Sequence, residues 1–224
     1  MNPAKTTLAL VATLAVAGSI KSRRGSQSDQ LSLFPPLPST TPAKTPKIPP
    51  TKTGKPGRLR PFFSYFGSKW SLATKYPCPC PRTGGSRIIE PFAGSAAYSL
   101  LHYTKKVQLY DKDPIIIGVW QYLISATPDE IRKLPLIRHD QTVDDLKVSQ
   151  EARWLIGFWL NKAKSSPAKR PGAWMRKGFQ GYQFWGEKIR ERIAQQVPYI
   201  KHWKAEVSDY DSIPNVKATW FVDP

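Results

Sequence analysis

From residue 62 onward, the spacing of apolar and polar positions divides the chain into recognisable elements. Arg87-Ile88-Ile89-Glu90 is a short apolar run closed by an acid, which predicts a buried strand. Pro91 to Ser95 carries turn residues, and Ala96 to Tyr103 resumes helical spacing. Val107 to Asp111 predicts a second strand and Pro114 to Ser125 a second helix. A β-α-β-α run of this kind argues for a parallel sheet. Thr127-Pro128-Asp129-Glu130 predicts another helix start, with a capping threonine, proline at the first helical position and glutamate completing a capping box. Ser149 caps a helix expected to reach about Lys164, with Ala152, Leu155, Ile156, Trp159 and Leu160 on one face. Trp185, Ile189, Ile193 and Val197 recur every four residues, and Pro198 stops that helix. Ala205 to Val207 and Ala218 to Val222 read as two further strands.

The first 61 residues follow no such pattern. Thr7 to Ile20 is an apolar run after Lys5, too short and interrupted for a membrane span. It reads as a signal peptide with Ala15-Val16-Ala17 as cleavage site, as a frayed N-terminal helix, or as the product of a start codon assigned too far upstream. Residues 21–61 read as an extended linker, because nine prolines fall between Pro35 and Pro61. Charge adds a partner class. The whole chain carries +18, of which 10 basic residues and Asp29 place +9 in residues 1–60, leaving +9 on the folded part. That balance suits a polyanion, nucleic acid before an anionic membrane. Cys78 and Cys80 lie too close in sequence for a good mutual disulfide and lack the partners of a zinc site, so two reduced thiols are expected. His102, His139 and His202 show no metal-ligand spacing, and no metal is expected.

Four fragments carry candidate chemistry. Phe63-Ser-Tyr65-Phe-Gly67-Ser-Lys69-Trp70 reads as one wall of a small-molecule pocket or as a turn opening a helix. Ile89-Glu90-Pro-Phe92-Ala-Gly94-Ser95-Ala96 is a strand, a glycine turn and a helix start, the usual cradle for the polar part of a nucleotide-like cofactor. It has neither the three glycines of a dinucleotide fingerprint nor the ending of a phosphate loop, as a cofactor without pyrophosphate allows. Asp111 ends the second strand, where an acid accepts both hydroxyls of a ribose or else caps the next helix, a task Asp113 could take. Asp223-Pro224 sits at the tip of the last predicted strand, where ligands bind in open α/β sheets.

In this order, the fragments resemble the Dam-type (class D12) N6-adenine-specific DNA methyltransferases over about residues 62–224. Tyr65-Phe-Gly-Ser-Lys69 is similar to the family's N-terminal aromatic-x-Gly-x-Lys element, and Glu90-Pro-Phe-Ala-Gly94-Ser to its cofactor turn. Asp111 stands at the ribose-binding acid, and Ser208-Asp209-Tyr210 resembles the element whose acid lies near the cofactor adenine. Asp223-Pro224 begins the catalytic Asp-Pro-Pro-Tyr. Ser95 replaces a frequent glycine, and the final Pro-Tyr and following strands do not appear, so the resemblance implies a C-terminally truncated copy.

The resemblance implies an α/β, Rossmann-like methyltransferase sheet, incomplete at the C-terminus, with a helical target-recognition insertion at about 126–200. It implies S-adenosyl-L-methionine as cofactor, held by Tyr65, Lys69, Glu90, Phe92, Gly94, Asp111 and Asp209. It implies methyl transfer to the N6 amine of adenine in double-stranded DNA, within a restriction-modification or phage system. Asp223 and the Pro224 carbonyl would accept the amine's two N–H bonds, and the base must first leave the stack. Residues 162–192 hold nine basic and two acidic residues, interleaved with Trp174, Phe179, Tyr182, Phe184 and Trp185. Lys169, Arg170, Arg176 and Lys177 are the DNA-contact candidates, whereas Trp185 is expected in the core. A monomer in the cytoplasm, without a membrane partner, is expected. The rival readings are a truncated DNA-binding remnant without catalysis, and an exported basic protein.

Overall fold

β1 (Arg87–Glu90) has a parallel partner on each side, and that arrangement organises the molecule. The computed structural model describes residues 57–79, 86–161, 164–177 and 184–224. The apolar run at 7–20, most of the linker, Cys80 and the stretch containing Gly178, Phe179, Gly181 and Tyr182 lie outside the described residues. β2 (Lys106–Asp111), β3 (Lys204–Val207) and β4 (Thr219–Trp220) complete a sheet of order β3-β2-β1-β4, parallel throughout. β1 pairs Ile88 with Val107 on one side and with Thr219 on the other. The fold is therefore mixed α/β with a four-stranded parallel sheet, and its strand order reverses at β1.

Side-chain alternation gives the two faces different fates. Ile88, Val107, Leu109 and Ala205 share one face and are buried in the main core. α2 (Pro114–Ser125) covers that face with Ile116, Ile117, Val119, Trp120 and Leu123. Its start follows from local chemistry, since the Asp113 side chain accepts from the Ile115 N–H at 2.8 Å and Pro114 needs no such partner. Ile89, Tyr110 and Trp220 share the opposite face, covered by Ile213, Val216 and Ala218.

α1 (Ala97–Leu101) lies between β1 and β2. Between β2 and β3 the chain forms α2, α3 (Pro128–Lys133), α4 (Gln150–Phe158), α5 (Ala173–Arg176) and α6 (Glu187–Gln196). The capping box at Thr127 and Glu130 is present, and Ser149 caps α4 through the Ala152 N–H at 3.3 Å. α4 is shorter than expected. It ends at Phe158, and the Trp159 side chain instead donates from Nε1 to the Phe62 carbonyl at 2.8 Å. Trp185 is buried as expected and donates to the Pro135 carbonyl at 2.8 Å. β4 is also shorter than expected. Its ladder ends at Trp220, with one further bond from the Phe221 N–H to the Ile89 carbonyl at 2.9 Å, because β1 itself stops at Glu90.

Packed chain begins inside the stretch read as linker. Leu59, Phe62 and Phe63 are fully buried. Phe62 and Phe63 meet the Trp120 ring at centroid distances of 5.7 and 5.5 Å. Burying each phenyl group contributes about 1.5–3 kcal/mol. The buried Gln196 amide holds this strap by its backbone, accepting from the Arg60 N–H at 2.7 Å and donating to the Arg60 carbonyl at 3.1 Å. A Gln196→Leu variant leaves both Arg60 groups unpaired, so it should lose about 1–3 kcal/mol in urea unfolding. The exposed neighbour change Gln195→Leu should stay within about 0.5 kcal/mol of the wild type. Equal effects would show that the strap does not depend on this amide.

Candidate functional site

The C-terminal ends of β1, β2 and β4 open onto one cavity of about 480 Å³. It is lined by Tyr65, Lys69, Glu90, Phe92, Gly94, Asp111, Asp223 and Pro224, the expected residues, together with Ser68, Ser95, Lys112 and Phe221. Positions as distant as Tyr65 and Pro224 meet there because β4 crosses back to pair with β1. The volume falls in the range usual for small-molecule sites.

The turn after β1 is built by unusual backbone. Gly94 has φ +43°, and Ala96 also adopts the left-handed region at φ 49°. A Cβ on Gly94 would stand 3.0 Å from Tyr65 Cε1, so the aromatic ring and the bare glycine backbone fit each other. Helix α1 therefore starts at Ala97, one residue later than expected, since Ala96 is not helical. Three bonds fix the turn. The Asp111 Oδ2 accepts from the Gly94 N–H at 3.1 Å, Trp120 Nε1 donates to the Gly94 carbonyl at 2.8 Å, and the Ala93 N–H donates to the Tyr110 carbonyl at 2.8 Å. The other Asp111 oxygen accepts from the Asp113 N–H at 3.0 Å. Asp113, not Asp111, caps α2. Each Asp111 oxygen retains one lone pair for a ligand.

Glu90 is buried, with its Oε1 accepting from the Ser99 N–H at 2.7 Å. Burial pushes this carboxyl up to about 7, the Ser99 hydrogen bonds partly opposing the shift and the Asp223 charge adding to it. Lys69 Nζ donates to Asp223 Oδ2 at 2.8 Å and to the Gly67 carbonyl at 3.2 Å. That hydrogen bond raises the Lys69 pKa. Tyr65 is also raised, by burial first and then by the nearby Asp111 and Asp113 charges. The cavity thus combines a cation-anion pair with a second carboxyl group that exchanges its proton near neutrality.

Phe221 carries no signal in the sequence beyond its place in a strand, yet it positions Asp223. Its ring stacks on Tyr98 at 4.6 Å with planes 4° apart and meets Tyr76 edge-on at 5.0 Å. Tyr98 in turn donates to the Pro77 carbonyl at 2.7 Å. The buried Trp120 also serves the site, through the bond from its indole to the Gly94 carbonyl, and nothing in its sequence context signals that bond.

Asp209 does not join the group. It is exposed, lies outside the cavity lining and caps the turn at Tyr210–Ser212, accepting from the Tyr210 N–H at 2.7 Å. The neighbouring Tyr210 ring instead lies 5.7 Å from Phe92. The DNA-contact candidates share one exposed stretch around α5. Lys169 Nζ is 3.5 Å from Asp144, Arg176 donates to the Pro171 carbonyl at 2.7 Å, and Lys177 Nζ is 5.9 Å from the centroid of the exposed Trp174 ring. Arg170 is exposed. Among the described residues, no helix is long and apolar enough to cross a membrane.

Residues 65–151 match the family described as D12 class N6 adenine-specific DNA methyltransferase. The match spans Tyr65, Lys69, Glu90, Phe92, Gly94 and Asp111, and stops before Asp209 and Asp223. It supports DNA adenine methylation as the class of activity, and the parallel sheet is consistent with a methyltransferase fold. No curated protein matches the chain.

Glu90 gives the site a pH signature. Its pKa is higher folded than unfolded, so the folded state binds the extra proton and is favoured at acid pH. The contribution falls away as pH rises from the ordinary carboxylate value through about 7. Glu90→Gln keeps an acceptor for Ser99 and removes the titration. It should be more stable than wild type at pH 8, by on the order of 3 kcal/mol, with no difference near pH 4 in parallel thermal or urea melts. A constant offset between the two proteins across that range would refute the assignment.

Proposed function

We propose that the chain is an adenine-specific DNA methyltransferase that uses S-adenosyl-L-methionine. The observation that carries this reading is the cavity. Six residues of the matched segment converge with Asp223 and Pro224 at the point where the strand order reverses.

The residues present fit such a cofactor. Gly94, bare of a side chain, lets the Tyr65 ring pack closely on the turn at the cavity wall. Asp111 has lone pairs for two ribose hydroxyls, and Tyr65 and Phe92 offer aromatic walls. The buried Glu90 carboxyl is suited to a cationic amino-acid end. Asp209 has no part in this assignment, given its outward position. When bound, the cofactor supplies an electrophilic methyl group.

The chain's own residues prepare the acceptor. The adenine amine is a weak nucleophile because its lone pair is delocalised into the ring. The Asp223 carboxylate and the Pro224 carbonyl accept its two N–H bonds and hold it nearer tetrahedral geometry, a positioning and electrostatic effect. Lys69 must yield part of its hold on Asp223 Oδ2, or else the second carboxylate oxygen receives the amine. The target base reaches the cavity only after leaving the duplex stack. Lys169, Arg170, Arg176 and Lys177 supply phosphate contacts that hold the DNA meanwhile. Restriction-modification or phage DNA is the setting that suits such an activity.

A second reading, DNA binding without methyl transfer, draws on the same ion pair, since a lysine at 2.8 Å already neutralises Asp223. The two separate in one experiment. The chain is incubated with S-adenosyl-L-methionine and DNA lacking adenine methylation, and N6-methyladenine is measured by mass spectrometry. Methylation is expected, with Asp223→Ala reducing its rate by at least about 100-fold. Asp111→Ala should weaken cofactor binding by about tenfold in calorimetry, the equivalent of one lost hydrogen-bonding site. DNA binding without any N6-methyladenine would favour the second reading.

A further inference from the structure

We propose that Arg87, Lys106 and Lys204 form a second docking surface for duplex DNA, at the end of the sheet opposite the cavity. The inference rests on DNA being the partner of this chain, and assigns a surface outside the proposed catalytic site.

Strand register places the three together. Arg87 and Lys106 are direct cross-strand partners, and Lys204 pairs with Gln108, two residues beyond Lys106. Partners point to the same side, so all three side chains leave the face that also carries Ile89, Tyr110 and Trp220. Ile213, Val216 and Ala218 cover that face near the C-terminal strand ends. Arg87, Lys106 and Lys204 are exposed. Neighbouring strands lie about 4.8 Å apart, so Arg87 and Lys106 stand side by side, with Lys204 one strand further and two residues along.

Like charges in direct register destabilise a sheet. Here nothing relieves them, since among the described residues none of the three has a carboxylate within ion-pairing distance. Glu206 is the one acid that the strands place on this face. It lies beyond Lys204 beside Tyr110, without pairing to the lysine. The exposed His202 precedes β3, its ring nitrogen 2.9 Å from the Lys105 carbonyl. A polyanion resolves this repulsion by supplying the missing negative charge.

The location selects which DNA. Lys106 and Asp111 are opposite ends of β2, separated by about 16 Å at the usual strand rise. The cations therefore point toward a stretch of duplex other than the one presenting its base at Asp223. A flat row of cations has no element to enter a groove, so binding there reads phosphate and not sequence. One molecule would hold two DNA segments, one at α5 and one beneath the sheet.

The test compares the full chain with the triple variant Arg87→Gln, Lys106→Gln, Lys204→Gln. Duplex DNA affinity is measured by anisotropy across a salt series. The variant should show a log–log slope shallower by about 2–3, at roughly 0.9 per lost phosphate contact. Its melting temperature should be unchanged or higher, because a repulsion has been removed. Bead-bound duplex loaded with wild type should capture a second labelled duplex, and the variant should not. A parallel variant, Arg170→Gln, Arg176→Gln, Lys177→Gln, separates the possible failures. If wild type binds no duplex at any salt, this inference and the methyltransferase reading fall together. If only the parallel variant changes slope, or the triple variant still bridges, this inference alone falls. Loss of binding to phosphatidylserine–phosphatidylcholine vesicles with DNA slopes unchanged would overturn it in favour of a membrane surface.

Discussion

The parallel pairing of β1 with β4 is the constraint on which the cavity depends. β1 has two partners, and the chain must travel from one to the other through α2 to α6 and β3. Because both partners run parallel to β1, all their C-terminal ends point the same way. Glu90, Asp111 and Asp223 are thereby delivered to one rim, although they lie far apart in sequence. The charges at that rim then adjust to one another. The Asp223 carboxylate discourages ionisation of Glu90 and is itself held by Lys69. Removing the β1–β4 bonds would detach Asp223 from Glu90 and Asp111, which β1 and β2 still hold together.

Much of the frame could be read from the residues, for local reasons. α2 coincides with its expected span because proline and an Asp cap mark its start. The α3 capping box, the buried face of α4 and the core position of Trp185 are legible for the same kind of reason, spacing plus a terminal signal. Six of the expected pocket residues between Tyr65 and Asp111 reach the cavity because short-range turn chemistry positions them.

The misses have other causes. Leu59 sits among prolines and basic residues, yet it is buried with its N–H donating to the distant Leu100 carbonyl, and Gln196 holds its neighbour Arg60. Just past the end of α4, the Trp159 indole bonds the Phe62 carbonyl, another distant partner. β4 was expected to run longer because its residues are apolar, but a ladder ends where its partner ends. Asp209 is expected beside the cofactor adenine only from the likeness of Ser208-Asp209-Tyr210 to the family element, whereas here it follows β3, the outermost strand of the four, and caps the next turn. Burial at Leu59 and the Trp159 bond involve contacts distant in sequence, the length of β4 follows its partner strand, and Asp209 is engaged by a local cap.

The position of β4 has a consequence for how the protein is made. Lys69 and Asp223 are 154 positions apart, so a ribosome adds the aspartate roughly ten to thirty seconds after the lysine. During that interval one edge of β1 has no strand beside it, and Ile89 has no Trp220. The nascent chain therefore carries an open, apolar sheet edge throughout that interval, the kind of surface that recruits chaperones or other nascent chains. The ligand cleft is closed only once β4 has emerged, more than a hundred residues after β1 and β2.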